Sequence, residues 1–136
     1  MPDPHHSVRL AAARTFLMHI GRGDSDEAMG LLSEHVTYRA QGDNALAGLF
    51  VGRDAVARHL MALVERTSGT YETFKREDWM IGEHHVAGLA SAHAQSNGKI
   101  YRGRTLTLMT FNSADEIEGI TVFFEDQHAL DRFIGP

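Results

Sequence analysis

The sequence predicts an α+β domain whose N-terminal helices close a curved antiparallel sheet over an internal pocket. Apolar residues recur at helical spacing in the first half of the chain, and four long strand-like runs fill the second half. Helices first and a meandering sheet last is the order of an α+β fold. At 136 residues, the chain has the length of one domain, spanning 1–136.

Two helices are predicted before the first strand. The first begins after Ser7, a good N-cap residue, and ends by Gly21, with one apolar stripe of Leu10, Ala13, Phe16, Leu17 and Ile20. Asp24 and Glu27 have capping-box spacing and indicate a second, short helix. That helix is expected to bury Ala28, Leu31 and Leu32.

The period then changes to that of a strand, and a third helix follows. Apolar and polar residues alternate over 35–40, which predicts a half-buried strand. Residues 41–51 are interpreted as a loop with a short strand at 46–51. A third helix opens at 52–54 and ends by Gly69, with a stripe of Val56, His59, Leu60, Leu63 and Val64.

From Thr70 onward the chain is predicted to be almost entirely strand. The runs cover 71–81, 85–96, 99–111 and 117–125, and Asn97-Gly98 indicates a two-residue hairpin. A terminal helical turn is predicted over 126–134. Because these strands carry apolar residues on both faces, we expect the helices to cover one face and a second copy to cover the other. The sequence therefore predicts a homodimer through the outer sheet face.

Composition excludes several classes of function. The net charge of −5, with scattered basic residues, argues against a nucleic-acid partner. The absence of cysteine excludes disulfides and thiolate metal sites, and the nine histidines show no metal-binding spacing. We therefore expect no bound metal. No phosphate-binding loop is present either, and we expect no cofactor. Without a signal-like or membrane-spanning run, the expected location is cytoplasmic, with no membrane partner.

The order of these elements resembles the SnoaL-like branch of the nuclear-transport-factor-like (ketosteroid isomerase-like, cystatin-like) superfamily. The resemblance rests on Gly23-Asp24, Leu31-Leu32, Val36-Thr37-Tyr38, the run 52–56 and the four long strands, and covers the whole chain. It implies a cone-shaped sheet wrapped around three helices, with a pocket between them. The branch includes polyketide cyclases, but its members differ in function.

The resemblance also allows the isomerase's catalytic positions to be compared one by one. The oxyanion-binding tyrosine corresponds to Phe16, the general-base aspartate to Ala40 and the protonated aspartate to Thr107. Neither Phe nor Ala can transfer a proton. The resemblance therefore implies that this chain is not a functional ketosteroid isomerase.

His59 is the first candidate for chemistry. It lies within the apolar stripe of the third helix, where an imidazole could act as general acid or base in a dry pocket. The alternative is a core histidine hydrogen-bonded to a carbonyl or to Tyr38. Asp126 is the second candidate: a carboxyl beside Phe123 and Phe124 could act as an acid, or it could cap the terminal turn.

The expected pocket is apolar with a few hydroxyls. Three alanines in alternation, Ala90, Ala92 and Ala94, are expected to leave room in it. Candidate substrate-binding residues are Tyr38, Phe16, Trp79, Tyr101, Thr105, Thr107, Met109 and Phe124. Tyr38, Tyr101, Thr105 and Thr107 are also ordinary residue types for strands, and Trp79 could pack in the dimer interface instead of lining the pocket.

Two hypotheses of function remain open. The first is a cofactor-independent acid–base enzyme that cyclises, isomerises or dehydrates a small apolar carbonyl or polyketide-like molecule. The second is a non-catalytic ligand-binding or dimerisation module that keeps the pocket. The sequence favours the enzyme slightly and does not name the reaction.

Overall fold

The computed structural model describes residues 4–22 and 25–136, without the side chains of Ser25 and Glu77. The helices are α1 (Pro4–His19), α2 (Ser25–Met29), α3 (Arg53–Arg66) and α4 (Gln127–Ile134). The strands are β1 (Leu32–Ala40), β2 (Gly48–Val51), β3 (Glu72–Ile81), β4 (His85–Ser96), β5 (Lys99–Phe111) and β6 (Ile117–Phe124). The α+β prediction is confirmed, and the four long strands lie within one residue of their predicted ends.

The predicted N-terminal boundaries need two corrections. Helix α1 already includes Pro4, so Ser7 is an interior residue and not the cap; proline suits a first helical turn because its φ is preset. Leu32 belongs to β1 rather than to α2, because α2 ends before Gly30 and Leu32 pairs with Ile117. The Gly23-Asp24 pair, and with it the predicted capping box, lies outside the described residues.

The sheet has six strands in the order β2-β1-β6-β5-β4-β3. Every pair is antiparallel except β1–β6, which is parallel with Tyr38 opposite Ile120. The expectation of a wholly antiparallel sheet is therefore wrong for this pair. Strands β1 and β6 are far apart in the chain, so no hairpin forces them to run in opposite directions.

The sheet is curved and open, and the register shifts at three places that include the middle of β3. Such bulges bend a strand and increase its twist. The predicted hairpin is confirmed: Asn97 and Gly98 both have positive φ, and Ser96 pairs with Lys99. The helices pack on the inner face of the sheet, where the buried apolar residues form one cluster.

Within the described residues, no helix is both long and apolar enough to cross a membrane.

Candidate functional site

Helix α3 places His59 on the inner face of the fold. Val56 and Leu63 stand three and four residues from it, so these three side chains share one helical face, and all are buried together with the adjacent Leu60. Burying that face against β1 and β2 takes the imidazole with it. The spacing alone therefore explains why this polar ring is only 5% exposed.

The His59 ring lies between two aromatic rings. Its centroid is 4.7 Å from that of Tyr38 and 4.3 Å from that of Phe50. Its Nδ1 atom is buried and has no hydrogen-bond partner among the residues that the structure describes. Burial without a compensating charge lowers the pKa of His59 from 6.5 to about 4. At neutral pH the ring is uncharged.

His59 lies between an inner cavity and an outer cleft. The inner cavity has a volume of about 40 Å³ and is lined mainly by apolar side chains, with Tyr38, Tyr71 and Leu63 beside His59. The outer cleft, between α3 and the residues around Leu46, has a volume of about 200 Å³. His59 and Leu46 line both spaces. A small displacement of Leu46 would therefore join them.

The β1–β2 loop that carries Leu46 is fastened to α4. The Asn44 amide donates to the Asp131 carboxylate at 2.7 Å, and the Gln127 amide donates to the Gln41 carbonyl at 3.2 Å. The Ala45 amide also donates to the Gly135 carbonyl at 2.8 Å. Together these contacts form a clamp between loop and helix, and Leu130 and Ile134 of α4 complete the cavity wall.

Gly42 allows the β1–β2 loop to approach the side chains of Gln127 and Asp131 closely. Its φ is +100°, and a Cβ atom there would lie 2.3 Å from both Asp131 Oδ1 and Gln127 Nε2. Any other residue at this position would push the two side chains apart and strain the backbone.

Some predicted site residues meet at the cavity. Tyr38 and Phe124 line the inner cavity with His59. The hydroxyls of Tyr101, Thr105 and Thr107 are buried on the same inner face and have no partner within the described residues. Such groups call for a water molecule or a ligand, because an unpaired buried hydroxyl is costly.

Other predicted residues lie away from this cavity. Phe16 and Met109 are fully buried in the core. Trp79 lies at the β3 edge of the sheet, where its indole covers Gly88 and its Nε1 donates to the Arg76 carbonyl at 2.6 Å. None of these three side chains lines the inner cavity or the outer cleft.

Asp126 is exposed and caps α4. Its carboxylate accepts a hydrogen bond from the Ala129 amide at 3.0 Å, which is the capping geometry considered from the sequence. Desolvation, together with the negative charges of Asp126 and Glu125, raises the pKa of Tyr101 to about 12. Asp126 thus influences a buried hydroxyl electrostatically, but it does not line the inner cavity.

Phe50 and Tyr71 were missed by sequence reasoning. Phe50 stands opposite Tyr38 in the β1–β2 pair, so it shares the inner face of the sheet. Pairing the short strand 46–51 with the first strand would have found it. Tyr71 begins the predicted strand run 71–81 and lies just before β3, and its burial alternates with that of Glu72 and Thr73.

The room expected beside the three alanines is not open space. Helix α1 packs against β4, and Ala90, Ala92 and Ala94 are buried without lining any described cavity. Small residues on this strand therefore accommodate the helix rather than a ligand. Among residues 4–22 and 25–136, no three histidine or acidic side chains are placed to hold a metal ion.

Comparison with known proteins identifies the fold of this chain. No protein-family model and no curated protein matches the sequence. Among solved structures, Bal32a from a soil-derived mobile gene cassette superposes with a TM-score of 0.89 at 19% identity, over 96% of this chain and 99% of that one.

Two further structures carry the fold names. An NTF2-like (nuclear-transport-factor-like) protein from Anabaena variabilis superposes with a TM-score of 0.78 at 16% identity, over 93% of this chain and 95% of that one. A candidate SnoaL-like polyketide cyclase from Jannaschia superposes with a TM-score of 0.77 at 11% identity, over 100% of this chain and 98% of that one. This chain therefore has the fold of the NTF2-like, SnoaL-like superfamily.

Proposed function

We propose that this protein binds a small, largely apolar carbonyl compound beside His59 and acts on it by acid–base chemistry without a cofactor. The ligand would occupy the outer cleft and extend into the inner cavity once Leu46 moves aside. Cyclisation, isomerisation and dehydration are the reactions that such a site could serve.

The observation that supports this proposal is that His59 lies at the boundary of the two spaces and its buried Nδ1 has no hydrogen-bond partner among the described residues. A neutral imidazole offers one nitrogen as acceptor and the other as donor, so it can remove a proton from carbon and return it elsewhere. Low polarity around the ring strengthens any hydrogen bond that it makes to a ligand. The SnoaL-like fold of the Jannaschia candidate polyketide cyclase is consistent with a carbonyl substrate.

The second candidate function is ligand binding without catalysis. Two observations favour it: the inner cavity of about 40 Å³ holds little more than water, and a pKa of about 4 makes His59 a weak base. No carboxylate within the described residues contacts its ring to raise that basicity. Under this alternative, the buried hydroxyls orient a ligand and no proton moves.

One experiment separates the two functions. The probe is β-tetralone, a bicyclic aromatic ketone whose α-hydrogens exchange with deuterium in D₂O when a base is near. Binding is followed by NMR shifts of the His59 ring, and exchange by loss of the α-hydrogen signal. Catalysis predicts that wild type accelerates the exchange and that His59→Phe, which keeps an aromatic ring between Tyr38 and Phe50, abolishes it.

The control is Phe123→Leu, on the outer sheet face, which should exchange the ketone at the wild-type rate. Binding of the ketone without faster exchange would contradict catalysis and support the second function. If the ketone shifts neither the His59 resonances nor those of Leu46, the proposed site itself is wrong.

We also propose that the outer sheet face pairs with a second copy of this chain. Leu89, Leu106 and Phe123 stand directly opposite one another on β4, β5 and β6 and form a row across that face. They are half-buried or exposed, and Phe123 is 41% exposed. A contiguous apolar row of this kind is typical of an interface.

A further inference from the structure

A second cleft lies on the other side of Tyr71 from the inner cavity. It is formed by the end of α1, the residues after α3 and the first half of β3, and its volume is about 920 Å³. Tyr71 lines both spaces and stands between them. Gly21 holds α1 tightly at this point, because a Cβ there would lie 2.0 Å from the Tyr71 carbonyl oxygen.

Positive charge collects in this cleft. Its lining includes Arg22, Lys75 and Arg76 but only one acidic side chain among the described residues, Glu72. The whole chain has the opposite balance, with 18 acidic and 13 basic residues. The side chains of Arg22 and Lys75 make no hydrogen bond or ion pair with any residue that the structure describes. Their donors are therefore available to a ligand.

The bulge in β3 fixes where these cations stand. The pairing of β3 with β4 shifts between Phe74 and Asp78, so the bulge brings two cationic residues into one cleft. Lys75 has a φ of +55°, which an L-residue seldom adopts. The Arg76 guanidinium donates to the Thr73 carbonyl, and Trp79 Nε1 donates to the Arg76 carbonyl at 2.6 Å. The bulge is thus held by its own hydrogen bonds.

We propose that this cleft is a binding site for an oxyanion, namely the carboxylate or phosphate group of a small metabolite. Arg22 and Lys75 supply positive charges that no described side chain pairs, and Arg76 adds a guanidinium whose fork matches either group. The Gln95 side chain in the lining offers a neutral polar contact. The site does not include His59 and does not depend on the function proposed for it.

The test uses two probes, inorganic phosphate and citrate, at constant ionic strength. Fluorescence of Trp79, the only tryptophan, reports binding because its indole is hydrogen-bonded to Arg76. We expect saturable binding of at least one probe, with phosphate alone indicating a phosphate ligand and citrate alone a carboxylate. The double variant Arg22→Gln, Lys75→Asn should bind at least tenfold more weakly, since the loss of even one charged hydrogen bond costs about that much.

The variants are chosen so that folding is not in question. Both positions are exposed, and asparagine tolerates the left-handed backbone of residue 75. Arg102→Gln removes one positive charge from the outer sheet face and should bind as wild type does. His59→Phe should also leave anion binding unchanged. Binding that is undiminished in the double variant, or no saturable binding of either probe, would overturn the proposal.

Discussion

The imidazole of His59 packs against the ring of Phe50, with centroids 4.3 Å apart and planes inclined by 30°. Phe50 belongs to the edge strand β2 and His59 to α3, so one aromatic contact joins the two elements. The contact removes water from the imidazole and leaves its Nδ1 without a described partner. The state of this ring therefore depends on a strand of only four residues.

The first prediction concerns the pKa of His59. Phe50→Ala should let water reach the ring and raise the pKa from about 4 toward its ordinary value of 6.5, because desolvation is the cause of the shift. NMR titration of the His59 ring protons measures this directly. Phe123→Ala, on the outer face, is the matched control and should leave the pKa near 4. An unchanged value in Phe50→Ala would mean that another element desolvates the ring.

The second prediction concerns stability at acidic pH. Between pH 6.5 and 4 the unfolded chain protonates His59 while the folded chain does not, so the free energy of unfolding falls as the pH is lowered. A shift from 6.5 to about 4 corresponds to roughly 3 kcal/mol. His59→Phe should lack this loss. Urea unfolding of both proteins at pH 7 and pH 4 gives the difference, and equal pH dependence would refute the burial of a neutral His59.

The third prediction concerns the three tyrosines. Desolvation raises the pKa of Tyr38, Tyr71 and Tyr101 above 10, and Tyr101 reaches about 12. The stability that this contributes is present below pH 10 and is lost as the pH rises. Ultraviolet titration of the folded protein should show no phenolate near pH 10, whereas the urea-unfolded protein should ionise there. A tyrosine that titrates normally in the folded chain would contradict the buried cluster.

The fourth prediction concerns the clamp between the β1–β2 loop and α4. Desolvation raises the pKa of Asp131, but hydrogen bonds from Asn44 and Gln127 outweigh it and hold the pKa below its ordinary value. Gly42→Ala should separate these partners and speed amide hydrogen exchange at Ala45, whose amide bonds to Gly135. Gly98→Ala, where a Cβ would meet nothing, is the control. Unchanged exchange at Ala45 would show that the clamp does not hold the loop.

The fifth prediction concerns the outer sheet face. Leu106→Glu places a charge at the centre of the apolar row and should convert the proposed dimer to a monomer in sedimentation velocity. Val51→Glu makes the same kind of apolar-to-acidic change on the exposed edge strand β2 and should leave the dimer intact. A wild-type protein that sediments as a monomer at all concentrations would contradict the proposed pairing.

Local patterns in the sequence determined most of the elements of this protein. The three-and-four spacing around His59 placed the imidazole on the buried face of a helix, because that spacing repeats once per turn. Asn97-Gly98 determined a hairpin, since both residues accept the positive φ that the turn requires. Alternation over the long runs likewise identified the inner face that carries Tyr101, Thr105 and Thr107.

Only the tertiary structure decided what surrounds the imidazole. Three contacts illustrate this: the parallel β1–β6 pair, the packing of Phe50 on His59 and the Asn44–Asp131 hydrogen bond. Each joins two different segments, and no periodicity in the sequence indicates that these segments pack together. The same holds for the second cleft, where Arg22 lies beside Lys75 and Arg76 of the β3 bulge, which follow it by more than fifty residues in the chain. Periodicity reports which way a side chain faces within its own element, whereas the volume and charge of a site depend on which distant elements pack against it.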